Sequence, residues 1–199
     1  MRTILFAGHR LDAEDRPAPR FPAEMEMQAG DAIRDAVAEI VRCHGRSRGI
    51  AGGASGGDIL FHEACGQLGI PTQLYLPMGE EAFIAESVAP AGAEWVQRFA
   101  TLAASLPLVF YHEPSARPLR DAAHTQSIWE QNNKWLLDEG LHEGADNLTV
   151  LVLWDGHAGD GPGGTEALVN AARRAGAEVI IVDATALHTH AHDESTPDS

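Results

Sequence analysis

Positive charge is what this sequence has least of. Among 199 residues there is a single lysine, Lys134, and the formal net charge is −15. A field of that sign repels a nucleic-acid backbone and an anionic membrane alike, so neither is expected as the main partner. With no lysine elsewhere, a phosphate loop of the Gly-Lys-Ser/Thr type is excluded, and Schiff-base chemistry would fall to Lys134 in a helix-like stretch. Cysteine is almost as scarce. Cys43 and Cys65 both fall in helix-like segments with no second cysteine close by, which argues against a thiolate metal site and for two buried free thiols. No spacing of histidines and carboxylates predicts a metal, and no cofactor is expected. Long apolar runs are also missing: nothing approaches the ~18 residues of a membrane span. The opening Met1-Arg2-Thr3-Ile4-Leu5-Phe6 leads into a strand-like segment rather than a signal peptide, so a soluble, cytoplasmic protein is expected.

What is present is a strand and helix alternation of a length that suits one core. Thr3–Ala7 is a short apolar run ending at Gly8, and Ile33, Val37, Ile40 and Val41 recur at helical spacing up to Gly45. Gly49-Ile50-Ala51 then enters a glycine loop, and Ile59, Leu60, Ala64, Cys65 and Leu68 mark a second helix before a strand over Thr72–Leu76. Two helical pieces broken near Pro90 follow, then a strand at Leu108–Tyr111 and a helix carrying Ile128, Trp135 and Leu136. Leu148–Trp154 is the strongest strand, succeeded by another glycine loop, an alanine-rich helix and a last strand, Glu178–Asp183. Repeated strand-helix-strand units need long crossovers, and so predict an α/β fold: a Rossmann-like three-layer sandwich with a mainly parallel central sheet. Residues 1–185 are read as one domain. Residues 186–199 are read as a disordered tail whose His188, His190 and His192 pick up metal adventitiously if at all.

Ligands of such sheets bind beyond the carboxyl ends of the strands, which directs attention to three loops. After the first strand come Gly8, His9 and Arg10: a glycine for a tight turn and an arginine able to reach a phosphate or carboxylate. His9 either serves a bound phosphate, as donor or general acid, or is a plain polar residue of an exposed loop. After the second strand, Gly52, Gly53, Ala54, Ser55, Gly56, Gly57 and Asp58 let backbone amides approach a ligand and aim a helix start at it; the alternative is a turn that only caps a helix. Asp58 is placed to cap that helix or to accept from a ribose hydroxyl. After the strongest strand, Trp154-Asp155-Gly156 opens a long loop that ends in Gly161-Pro162-Gly163-Gly164-Thr165-Glu166. Gly159, Gly161 and Gly164 formally match the dinucleotide fingerprint, with Asp183 as the acid, but that motif ordinarily opens a domain and here the chain is nearly finished. Trp154 stacks on a base or packs at its strand end, and Arg20 folds onto the ligand or is a loop charge.

Taken in order, Gly8-His9-Arg10, Arg20-Phe21-Pro22, the Gly52–Asp58 loop and Gly161-Pro162-Gly163-Gly164-Thr165 resemble the SLOG superfamily, which includes LOG-type and DprA/Smf-type Rossmann-like proteins. Leu76-Pro77, Phe83, Ser87-Val88, Trp95, Arg98-Phe99 and Trp154-Asp155-Gly156 look like the branch found beside cyclase or TPR modules in bacterial signalling proteins. The resemblance spans roughly residues 3 to 183. It implies binding of a nucleotide or nucleotide-derived signal by Gly8, Arg10, Gly52, Gly53, Ser55, Gly56, Asp58, Gly163, Gly164 and Thr165, and it implies a homo-oligomer. LOG-type enzymes carry Pro-Gly-Gly-x-Gly-Thr-x-x-Glu, whose glutamate serves N-glycosidic cleavage of a nucleoside monophosphate. Here Glu166 follows Thr165 directly and Leu168 stands three residues on, which leaves Glu166 or Asp58 as the acids for such a role. Two functions are therefore expected in order: a sensor domain that binds a nucleotide-derived small molecule, then a phosphoribohydrolase-like enzyme. A DprA-like nucleic-acid protein comes last, against the charge.

Overall fold

A computed structural model describes residues 1–13, 16–111, 127–157 and 164–187. Six strands, β1 (Arg2–Gly8), β2 (Ser47–Ala51), β3 (Thr72–Leu76), β4 (Leu108–Phe110), β5 (Leu148–Trp154) and β6 (Glu178–Asp183), form one sheet in the order β4-β3-β2-β1-β5-β6. Every pairing is parallel, with Leu5 level with Ile50 on one side and Val150 on the other. The expected fold class holds: a Rossmann-like α/β sheet flanked by helices. The strand order also supplies what periodicity does not. The chain steps outward from β1 to β4, then returns to the far side of β1 for β5, so the order reverses between β1 and β5.

Both faces of a parallel sheet are buried, and the alternation along the strands assigns each side chain to a face. Ile4, Phe6, Ala51, Leu74, Leu151 and Leu153 pack on α1 (Glu26–His44), α2 (Gly57–Gln67), α3 (Glu80–Ser87) and α4 (Ala93–Ser105). Leu5, Ile50, Tyr75, Val150 and Val152 pack on α5 (Ile128–Gly140) and α6 (Thr165–Arg174). Ala29, Ile33, Val37 and Ile40 form the buried stripe of α1, at the three- and four-residue spacing of a helix face. Phe61 of α2 stacks on Phe6 of β1 with centroids 4.9 Å apart. Arg98 joins three helices: its guanidinium lies 4.0 Å over the Trp95 ring and pairs with Glu63 and Glu26. Pro90 sits in the short turn Ala89–Ala91 between α3 and α4, where the sequence places its break.

Two side chains depart from expectation. Cys65 is buried but Cys43 is exposed, in the last turn of α1 and past the end of its buried stripe. Leu68 is 39% exposed because α2 ends at Gln67 and Leu68 already turns away as its C-cap. A helical turn at 184–187 follows β6, two residues past the expected start of the tail; His188, His190 and His192 lie outside the described residues. Among the described residues no helix is long and apolar enough to cross a membrane, and no group of metal-ligating side chains occurs.

Candidate functional site

Beyond the carboxyl ends of β1 and β2 the first two loops are zipped together. The Leu11 amide donates to the Ser55 carbonyl and the Gly57 amide to the His9 carbonyl, each at 3.1 Å, and Arg10 pairs with Gly56 as an isolated antiparallel bridge. Gly56 makes this closure feasible. Its φ is +100°, and a Cβ there would stand 2.8 Å from the Leu11 nitrogen and 2.9 Å from the His9 oxygen. The end of α3 anchors both loops: Ser87's carbonyl accepts from the Ser55 amide (2.9 Å) and hydroxyl (3.2 Å), and Glu86's carbonyl accepts from Arg10 (3.2 Å).

These loops border a cavity of about 620 Å³, lined by Gly8, His9, Arg10, Arg20, Gly52, Ala54, Ser55 and Asp58, together with Gly164 and Thr165 at the start of α6. The loops after β1 and β2 thus share one crevice with the helix that follows β5, at the point where the strand order reverses, which is where open α/β sheets bind ligands. Neither α2, which begins from Gly56, nor α6, which begins from Gly164, has a side-chain cap, and Asp58 of the one and Thr165 of the other line the cavity. The Gly57 amide is taken by the His9 carbonyl, and the remaining first-turn amides carry the positive end of each helix dipole, which favours an anion. α5 differs, because Ser127 and Glu130 form a complete capping box at its start.

Asp12, Asp58 and Glu86 are the acids of the cavity lining, and Asp58 is the one at the start of α2. It does not cap α2, whose N-cap is Gly56; its Oδ2 accepts from the Ala54 amide at 3.3 Å instead. Gly52 leaves room for it, since a Cβ at 52 would lie 2.6 Å from that oxygen. Burial pushes the Asp58 carboxyl up to about 7, against the lowering effects of the Ala54 amide and of Arg10. Near neutrality it both holds and releases a proton.

Behind the cavity lies an ion pair that the sequence does not announce. Arg20 binds Asp155 through both arms, Nε to Oδ2 at 2.7 Å and a terminal nitrogen to Oδ1 at 2.9 Å. Asp12 fixes the approach of Arg20 by accepting from the Arg20 and Phe21 amides at 2.6 and 2.7 Å. Burial alone would raise the Asp155 carboxyl, but the Arg20 guanidinium and the His157 amide hold it well below the usual carboxylate range. His9, expected in an exposed loop, is in fact only 10% exposed in its side chain, and its Nε2 accepts from the Asp155 amide at 3.1 Å. Because an amide donates to Nε2, the ring carries its proton on Nδ1; burial, with Arg20 nearby, lowers the His9 pKa.

Other sequence candidates stand elsewhere. Gly53 is packed against Phe99, where a Cβ would meet the ring at 2.8 Å, and it does not line the cavity. Trp154 is 9% exposed, packs with the α5–α6 core, and donates from Nε1 to the His157 carbonyl at 2.7 Å. Glu166 is exposed on the first turn of α6, away from the cavity lining. Asp183 accepts from the Thr185 amide and hydroxyl at the end of β6, a local cap. Gly159, Gly161 and Gly163 lie outside the described residues.

Three contributions were not legible as motifs. His62, 2% exposed, donates from Nε2 to the Gly52 carbonyl and accepts at Nδ1 from the Thr72 hydroxyl, both at 2.9 Å. Burial drives its pKa down to about 4, so it fixes the second loop as a neutral ring. Its signal in the sequence is a histidine between Phe61 and Cys65 on an otherwise apolar helix. Arg16 lines the cavity mouth and pairs with Asp12 at 3.3 Å. The third is a wall from α5 and the end of α3, with Phe83, Ser87, Trp129 and Asn132 among its residues.

No family model matches this sequence, and neither does any curated protein. Among solved structures, the fold is shared with the X-ray structure of DNA processing protein A (DprA) from Streptococcus pneumoniae, at a TM-score of 0.56 and 15% sequence identity. The match covers 98% of this chain and 57% of that one, so this chain spans little more than half the length of DprA. At such identity the likeness extends to the fold.

Proposed function

We propose that this chain binds a nucleotide or nucleotide-derived small molecule in the cavity and works as a signalling or sensor domain. The observation that carries the proposal is that two uncapped helix starts, α2 and α6, and the Arg10 guanidinium line one cavity of about 620 Å³. Amides at helix starts suit a phosphate, and the volume falls within the ~300–1,000 Å³ of small-molecule sites. The fold likeness to DprA agrees with the SLOG resemblance of the glycine loops. What the name of DprA says of DNA does not carry over easily, because a charge of −15 opposes a polyanion.

Asp58 favours one second reading, a hydrolase of a nucleotide N-glycosidic bond. Such cleavage needs a carboxyl beside the ribose that protonates, activates water or stabilises an oxocarbenium ion, and Asp58 lines the cavity with a pKa near neutrality. Glu166, exposed and off the lining, is the weaker candidate. Calorimetric titration with nucleoside monophosphates and nicotinamide dinucleotides, alongside chromatography for released base, tests both. Saturable binding without turnover supports the sensor. Base release that disappears in Asp58→Ala supports the hydrolase, and absence of binding to every member of the panel overturns both.

A further inference from the structure

The part of the cavity wall that comes from α5 and the end of α3 has a chemistry unlike that of the glycine loops. Trp129, Asn132 and Leu136 follow one another at spacings of three and four, and so share one face of α5. All three line the cavity. Trp129 is half-buried and stands edge-on to Phe83, with centroids 6.4 Å apart. Asn132 sits within this apolar stripe at 7% exposure, and its Oδ1 has no hydrogen-bond partner. Ser87, at 1% exposure, repeats the pattern: its carbonyl is engaged by Ser55, but its Oγ has no partner. Buried polar atoms are nearly always paired, and two orphans bordering one cavity point to a partner from outside the chain.

That partner is not a second anion. The start of α5 is satisfied from within, because Ser127 accepts from the Glu130 amide and Glu130 accepts from the Ser127 amide. The wall offers an aromatic surface, a neutral hydroxyl and a carboxamide with an acceptor and a donor side by side. Its complement is a planar heterocycle with an N–H donor next to an acceptor, the edge that an asparagine amide pairs with in two-point contacts to bases. Aromatic side chains supply the stacking surface for such rings.

We propose that Trp129, Asn132 and Ser87 form the base subsite of this cavity. Asn132 pairs with the hydrogen-bonding edge of a nucleobase whose ring packs on Trp129, while the phosphate end lies at the starts of α2 and α6. The proposal rests on the nucleotide reading above and adds to it which end of the ligand each wall holds.

Titration of the wild-type chain with the four ribonucleoside 5′-monophosphates and with ribose 5-phosphate tests it. The best monophosphate should bind roughly 10- to 100-fold more tightly than ribose 5-phosphate, the discrimination expected of a two-point amide contact. Asn132→Leu, close in volume and apolar, should abolish most of that preference and leave ribose 5-phosphate binding unchanged, and Trp129→Ala should weaken the monophosphate roughly tenfold or more. Should Asn132→Leu not fold, Asn132→Asp keeps the volume, loses the N–H donors, and should lose the same preference. If the wild type prefers a monophosphate and both Asn132 variants keep that preference, the subsite is wrong while the nucleotide reading stands. If the wild type binds none of these probes, the subsite falls, and the nucleotide reading falls with it when nicotinamide dinucleotides fail to bind as well.

Discussion

Replacing Gly56 by alanine tests whether the first two loops are locked as one unit. The residue stands at φ +100° and ψ −130°, a conformation almost restricted to glycine. Its new Cβ would face the Leu11 nitrogen at 2.8 Å, the His9 oxygen at 2.9 Å and the Arg10 carbonyl carbon at 3.1 Å. All three are backbone atoms, so no side-chain rotation relieves the contact. Backbone strain of this kind costs about 1–3 kcal/mol. Separating the loops would forfeit the Leu11–Ser55 and Gly57–His9 bonds, at about 0.5–1.5 kcal/mol net each. The loss is therefore expected near 3 kcal/mol, within bounds of about 2–6 kcal/mol. With m of about 2–3 kcal/mol/M, the urea midpoint falls by about 1–1.5 M. Gly66→Ala is the control. Gly66 lies inside α2 with nothing within 4 Å of a new Cβ, and alanine there should stabilise by about 0.5–1 kcal/mol. Urea unfolding of the three proteins, followed by far-ultraviolet circular dichroism, decides the matter. A Gly56→Ala midpoint within about 0.2 M of wild type would refute the interlocked loops.

Asp58→Asn should change the pH dependence of stability. The carboxyl is raised to about 7 in the folded chain and titrates at about 3.9 unfolded. Between those values the folded state holds the extra proton, so the group's contribution is full at low pH and is lost as pH rises through 7. Wild type should lose roughly 2 kcal/mol relative to Asp58→Asn between pH 5 and 7, since each unit between the two pKa values is worth about 1.4 kcal/mol; parallel curves would count against it. Arg20→Ala leaves the partly buried Asp155 carboxylate with the His157 amide but without its guanidinium partner, and should destabilise by about 2–4 kcal/mol at pH 7. Here the folded pKa is depressed, so the pair's contribution is present above the unfolded value and is lost as pH falls below it; unfolding at pH 7 and pH 3 should show the difference shrinking. Arg10→Ala, at an exposed side chain with a single bond to a carbonyl, should leave the unfolding free energy within about 0.5 kcal/mol of wild type and weaken nucleoside monophosphate binding roughly tenfold or more. Unchanged affinity would remove Arg10 from the site.

The sheet was legible because its strands are short and apolar and its helices carry three- and four-residue spacing. Leu148–Trp154 is buried at every position and reads as such, and the break at Pro90 follows from the chemistry of proline itself. The order of the strands is another matter, since no local pattern tells β5 to return beside β1. Gly8, Arg10, Gly52, Ser55, Asp58 and Thr165 are singled out in the sequence because loops after parallel strands converge, and all six line the cavity. Gly53 was misplaced by the same logic, because a glycine loop looks alike whether it leaves room for a ligand or for the Phe99 ring. The α5 wall stayed hidden. Asn132 on an apolar stripe differs from an ordinary core position by one polar side chain, and its value depends on which helix is packed across the sheet edge from it.

The distribution of charge separates what holds the cavity from what the cavity offers. Arg16 and Arg20 both line it, yet Asp12 opposes one and Asp155 the other. These pairs tie the Arg16 and Arg20 guanidiniums to carboxylates and so contribute little net positive field. Arg10 donates to the Glu86 carbonyl and, among the described residues, no carboxylate pairs with it; the amides that begin α2 and α6 are dipoles rather than ions. Such groups act over a few ångströms, whereas the charge of −15 acts over the Debye length of about 8–10 Å and beyond it at low salt. Under the proposed reading, an anionic ligand is therefore repelled at long range and held only on contact. Its selection would rest on fit to both cavity walls, the dipolar one and the aromatic one, rather than on long-range attraction.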